Sequence, residues 1–155
     1  MRLFLLLLML FFSVSCATRN IKYDRNKILK KTFADYKTFL DNEEIYFPMV
    51  FLDKGNIENI KINKRDKILN IKRLIPKELF KIKDLSIDSL YHIRKDWDKI
   101  NLVIIDGLLI HGRLKEDIRI NPNAIKHIEL MNDKEMHKLN LCNHYSGNVL
   151  LITTK

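Results

Sequence analysis

Glycine and proline are scarce, with four Gly and three Pro in 155 residues. That scarcity excludes collagen-like and low-complexity classes. It also leaves no Gly-rich phosphate loop and no Gly-x-Ser-x-Gly nucleophile turn. Two cysteines, Cys16 and Cys142, are too few for a disulfide-stapled mini-protein. No apolar run reaches the ~20 residues that a membrane-spanning helix needs. The length suits one domain or two very small ones, and a multi-domain enzyme with a large cofactor fold does not fit. Basic residues exceed acidic ones by 28 to 19, a formal charge of +9, yet they form no dense basic run. Lysines scattered among Ile and Asn read as a solvated surface more than a nucleic-acid stripe. What is present is a chain that is 46% hydrophobic and 30% charged, enough for a real core and incompatible with disorder over most of its length.

The N-terminus reads as an export signal over residues 1–15. Arg2 is followed by unbroken apolar residues from Leu3 to Phe12, then by Ser13, Val14, Ser15 and Cys16. A basic start, a short apolar stretch and a small-residue zone make a cleavable secretory segment. Cys16 after Ser-Val-Ser resembles a bacterial lipobox, in which the signal is cut before the cysteine and the cysteine carries the lipid. Ser13 stands where that pattern has Leu. The resemblance implies lipidation of Cys16 and membrane attachment through that lipid. Cys142 is then the lone cysteine of the mature chain, and the formal charge falls by one to about +8 with the loss of Arg2. Export argues against nucleic acid as a partner.

Residues 16–35 are expected to be a lipidated N-terminus and tether, running into a short helix or edge strand at Ile28, Leu29, Phe33 and Tyr36. Residues 36–75 form a β-rich first half. Thr38-Phe39-Leu40 enters an Asp41-Asn42 turn, and Glu43 to Phe47 returns. Met49 to Leu52 is apolar. Asn56 to Asn63 alternates, Lys64 to Lys67 turns, and Ile68 to Arg73 returns as a hairpin. Residues 76–98 read as a helical connector. Pro76 suits a first helical turn, Leu79, Phe80, Ile82 and Leu85 give an apolar face, and a second helix spans Ser86 to Trp97. In residues 99–155, Leu102 to Ile105 is a strand ending in Asp106-Gly107, a strong hairpin turn. Leu108 to Ile110 returns. Asn121-Pro122-Asn123-Ala124 is a capped helical turn, with Asn121 as cap. Ile128 to Met131 is a strand, Lys134 to Leu141 a short helix, and Val149 to Thr154 the last strand, with a free β-edge that Lys155 protects from unwanted pairing.

The two halves look alike. Asp41-Asn42-x-x-Ile45 parallels Asp106-Gly107-x-x-Ile110. Asn56 to Ile62 parallels Ala124 to Leu130. Leu69 to Lys72 is set against Leu151 to Thr154. This is either a tandem repeat of strand-turn-strand units or two hairpin-rich segments alike in β composition.

Leu102 to Lys155 resembles the plug domain of TonB-dependent outer-membrane receptors. Three motifs carry the likeness: Leu102-Val-Ile-Ile-Asp-Gly107, Ile120-Asn-Pro-Asn-Ala-Ile-Lys-His-Ile-Glu-Leu130 with Asp133 after it, and Val149-Leu-Leu-Ile-Thr-Thr-Lys155. The family's Tyr-Gly turn is replaced by Leu141 to Tyr145, and its Gly before the last strand by Asn148, with Gly147 one place earlier. The resemblance implies an α+β fold, a small mixed β-sheet plug-like domain with short helices, and an envelope setting. It does not imply transport, since no length is left here for a barrel. Asp106, Gly107, Asn121, Pro122 and Asn123 are then structural motif residues.

The residues offer little chemistry. His137, Cys142 and His144, with Glu135, match no common zinc spacing and set no triad geometry. His127 and Glu129 share one strand face, read as solvent-facing. Glu43 and Glu44 point to opposite faces of a strand. No cofactor, metal site or catalytic residue is expected. The aromatics Phe33, Tyr36, Phe39, Tyr46, Phe47 and Phe51 are read as core or, alternatively, as a ligand or peptide groove. The expected function is a non-enzymatic lipoprotein of the outer membrane that faces the periplasm, where no acidic residue follows Cys16 closely, and binds an outer-membrane or periplasmic protein. The alternative is a ligand- or peptide-binding lipoprotein.

Overall fold

The computed structural model describes residues 18–85, 93, 97–132, 134–135 and 147–155. It is mixed α+β, as expected. Its strands are β1 (Thr18–Ile21), β2 (Lys37–Leu40), β3 (Glu43–Ile45), β4 (Val50–Phe51), β5 (Ile57–Asn63), β6 (Ile68–Arg73), β7 (Phe80–Lys81), β8 (Ile100–Ile105), β9 (Leu108–His111), β10 (Arg119–Ile120), β11 (Ile125–Met131) and β12 (Asn148–Thr154). Helix α1 spans Arg25–Thr32. The chain divides into two compact units. The first is Met1–Pro48 with Ile57–Leu74, and the second is Met49–Asn56 with Ile75–Lys155.

The first unit is a five-stranded sheet in the order β1-β5-β6-β2-β3. Residues opposite each other in register share a face. Ile60 faces Ile71, Ile62 faces Leu69, Thr38 faces Leu69 and Leu40 faces Ile71. All six are buried, so period-2 alternation builds one core face. Helix α1 covers that face. Asp24 caps it by accepting from Lys27 N at 3.0 Å. Ile28 is wholly buried, and Thr32 Oγ1 lies 3.2 Å from Thr38 Oγ1, which satisfies the buried threonine. Arg25 donates to the Pro48 carbonyl at 2.9 Å and stands over the Phe47 ring.

The second unit has a four-stranded sheet, β11-β12-β8-β9, and a small sheet in which β10 pairs β4 in parallel and β7 in antiparallel fashion. Its core gathers Phe51, Ile82, Ile93, Trp97, Val103, Ile105, Ile110, Ile120, Leu150 and Ile152. A smaller cluster holds Leu102, Met131 and Val149, with Ile104 and Leu151 against it.

The two principal sheets share one plan. β5-β6-β2-β3 and β11-β12-β8-β9 have the same strand order and the same sequence of antiparallel, parallel and antiparallel pairings. The register breaks at matching places, between Ile57 and Asn59 and between Ile125 and His127. Both hairpins turn through two residues with positive φ, Asp41 and Asn42 at 49° and 75°, Asp106 and Gly107 at 51° and 82°. Such turns match the right-handed twist of the flanking strands. Ile28 and Ile93, both buried in helical positions, keep the same sequence distance from those turns. The likeness between halves is thus one of fold as well as composition.

Several expectations change. The short helix read at Ile28 and Leu29 is α1, but the segment read as a tether before it carries β1, which pairs with β5 from Thr18↔Asn63 to Ile21↔Ile60. The helix read from Pro76 through Leu85 is instead an irregular stretch, then β7 and a 3-10 turn at Ile82–Asp84. Pairing of Phe80 with Ile120 wins over local helical preference there. The helices read over Ser86–Trp97 and Lys134–Leu141 fall mostly outside the described residues. β12 is a central strand, hydrogen-bonded to β11 and β8, so it offers no free edge. Leu69 corresponds to Leu150, not Leu151, because each faces the residue three places before the hairpin aspartate, Thr38 before Asp41 and Val103 before Asp106.

Candidate functional site

The motif residues come together as backbone locks. Asp106 Oδ1 accepts from Thr154 N at 2.8 Å and Oδ2 from Thr154 Oγ1 at 2.5 Å, while Asp106 N donates to the Ile152 carbonyl at 3.0 Å. Asp41 does the same in the first unit. It accepts from Arg73 N at 2.8 Å and from Arg73 Nε at 2.6 Å, and its own N–H donates to the Ile71 carbonyl at 2.9 Å. Each aspartate ties its hairpin turn to the end of the parallel strand beside that hairpin. Gly107 supplies positive φ beside the first lock, and Asn42 does so beside the second.

Asn121 is buried and caps the Pro122–Ala124 turn by accepting from Asn123 N at 2.9 Å. Its own N–H donates to the Phe51 carbonyl. Asp53 caps the matching turn, accepting from Gly55 N at 3.0 Å. The sequence pointed to Asp106, Gly107, Asn121, Pro122 and Asn123, and all five sit in these turns. The repeat had already set Asp41 against Asp106, while Asp53 and Arg73 were missed as counterparts. Extending the repeat three residues before Asn56 was the signal that could have found Asp53.

The other candidates stay apart. Cys16, His137, Cys142 and His144 lie outside the described residues. Among the described residues no group of three or more His, Cys, Asp or Glu is placed to hold a metal ion. His127 Nε2 lies 3.5 Å from Glu129 Oε2 on an exposed strand face. The six aromatics do not line one groove. Phe47 and Phe51 are buried, Phe51 in the second unit's core, while Phe33 and Tyr46 are exposed.

Glu116 organises a polar cluster in the second unit. It accepts from the Trp97 indole N–H and from Lys83 Nζ at 3.1 Å, and Lys115 Nζ donates to the Trp97 and Ile100 carbonyls. The indole bond, then the ammonium groups of Lys83 and Lys115, hold the Glu116 carboxyl below its ordinary range. These groups bond one another and serve the packing of Trp97.

The first unit also carries an open groove of about 960 Å³ between β1 and α1. Arg19, Lys22, Lys27, Lys30 and Lys31 line it, with Tyr23 and Tyr36. Lys27, Lys30 and Lys31 follow helical spacing along one face of α1, while Ile28 and Thr32 face the sheet. Arg19 pairs opposite buried Ile62, so it projects to the helix side of the sheet. Among the described residues Asp24 is the one carboxylate lining the groove, and it is engaged by Lys27 at 3.3 Å. The Lys27 backbone N–H holds the Asp24 carboxyl below its usual range. The Lys31 ammonium sits 4.9 Å from the centre of the Tyr36 ring. Sequence reading treated these lysines as scattered, because the groove exists only once β1 and α1 are assembled.

Among the described residues no helix is long and apolar enough to cross a membrane. No family model, curated protein or solved structure matches this chain.

Proposed function

We propose that this chain is a non-enzymatic, lipid-anchored envelope protein whose plug-like fold binds a protein at the periplasmic side of the outer membrane. The observation that carries the reading is the use made of the motif side chains. Asp106, Gly107 and Asn121, with Asp41 and Asp53 in the matching positions, spend their polar atoms on turns and strand ends. They supply a duplicated scaffold and not a converging set of reactive groups. The lipobox-like Cys16 and the three plug-like motifs of residues 102–155 support the membrane setting.

The test is in-cell crosslinking of an epitope-tagged chain with Cys16 intact, followed by mass spectrometry of outer-membrane fractions. A β-barrel transporter or its energising machinery is the expected capture. Membrane attachment without a reproducible protein partner would sink the binding role. A chain that takes up no labelled fatty acid at Cys16 would sink the anchor.

A further inference from the structure

We infer that the basic groove between β1 and α1 binds the anionic headgroups of the membrane that holds this chain. The inference deepens the lipid-anchored reading and rests on it for the nearness of the bilayer. Arg19, Lys22, Lys27 and Lys30 are exposed, and Lys31 is half-buried. Against these five cations the described residues bring one carboxylate to the groove, Asp24, already engaged by Lys27. Among the described residues no carboxylate pairs with Arg19, Lys22, Lys30 or Lys31. Five like charges in one concavity repel one another, and an anion bound there relieves that repulsion.

Geometry selects a membrane-borne anion. Cys16 precedes Thr18, the first residue of β1, by two positions. Two residues span at most about 7 Å. A lipid on Cys16 therefore holds Arg19 and the mouth of the groove within the headgroup layer. Phosphate oxygens accept from Arg and Lys in short, charge-assisted hydrogen bonds. Tyr23 and Tyr36 add the amphipathic rings favoured at that depth. The groove would thus lay the first unit against an anionic leaflet.

The test uses the full chain reconstituted into phosphatidylcholine vesicles with or without phosphatidylglycerol, read by lysine acetylation and mass spectrometry. Lys22, Lys27 and Lys30 should be protected several-fold on the anionic vesicles and exposed again in high salt, while Lys61, Lys64 and Lys126 stay reactive. In a Cys16→Ser background, the combined changes Arg19→Gln, Lys22→Gln and Lys30→Gln should weaken partitioning onto anionic vesicles about a hundred-fold, taking ~1 kcal/mol per basic side chain. The same charge loss at Arg113, Lys126 and Lys155 should leave it near the parent value. Equal losses from both triples would mean unspecific charge attraction and overturn the inference. So would unchanged lysine reactivity on anionic vesicles, or protection by inorganic phosphate alone. Absence of fatty acid on Cys16 with the groove still protected would fault the anchor and spare the groove. Fatty acid on Cys16 with an unprotected groove would do the reverse.

Discussion

Asp41 and Asp106 make equivalent hydrogen bonds with unequal stakes. The Arg73 side chain is only 10% exposed and takes its charge balance from Asp41. Asp41→Ala leaves a guanidinium nearly buried without its carboxylate, a loss of about 3 kcal/mol. The partner of Asp106 is a neutral, half-buried threonine, so Asp106→Ala should cost about 1 kcal/mol. Urea titration of both variants, with hydrogen exchange to assign each transition to a unit, measures the difference. Comparable losses would contradict the account. Glu116 supplies a second residue-scale expectation. Its carboxyl is held below the ordinary range of a glutamate by the Trp97 indole and the neighbouring ammonium groups, so the stability it contributes is full above that range. It is lost as pH falls through the lowered pKa. Glu116→Gln should therefore narrow the stability gap to the parent as the solution is acidified from neutral pH, and a gap that stays constant would count against the bonds drawn to Trp97 and Lys83.

At the scale of elements, the chain enters β12 through a close approach to β8. The register slips there, with Asn148 opposite Ile100 and Val149 opposite Leu102, which leaves Asn101 as the extra residue of β8. Gly147, at φ of 113°, lies against it. A methyl group on Gly147 would collide with the Asn101 side-chain amide and come 3.1 Å from the Lys99 carbonyl. Gly147→Ala should destabilise the second unit by about 1–3 kcal/mol, checked by thermal unfolding. Helix α1 depends on its cap in the same local way. Asp24→Ala removes the acceptor for Lys27 N and should fray the first turn, seen as faster amide exchange at Lys27. That effect should fade as pH falls through the lowered Asp24 pKa, because the protonated parent loses the same bond.

For the whole molecule, sequence order and spatial assignment part company at residues 49–56. Val50 and Phe51 lie within the first half of the sequence yet pair with Arg119 and Ile120, and Phe51 is packed in the second unit's core. Phe51→Ala should cost about 3–5 kcal/mol. Hydrogen exchange should show the loss over β8, β9 and β12 and spare β5 and β6. Loss of protection confined to β5 and β6 would show that Met49–Asn56 belongs with its neighbours in sequence.

Much of this was legible before any coordinates. Asp-Gly and Asp-Asn turns, the Asn121 cap and the alternating strands are encoded by a few residues close in sequence, because turn φ values and capping bonds are local. The repeat was legible for the same reason. Its last strand was misaligned by one residue, since Val149 to Ile152 is apolar at every position and gives no alternation to set the register. Only the parallel neighbours Thr38 and Val103 decide which leucine faces inward. β1 escaped notice because Thr18-Arg19-Asn20-Ile21 has no apolar face to speak of, and its pairing comes from β5, some 40 residues on. The basic groove follows from that pairing. Composition determined that this chain folds as a small α+β protein with an excess of positive charge; tertiary structure alone decided where the charge collects, because long-range strand pairing sets which lysines share a surface.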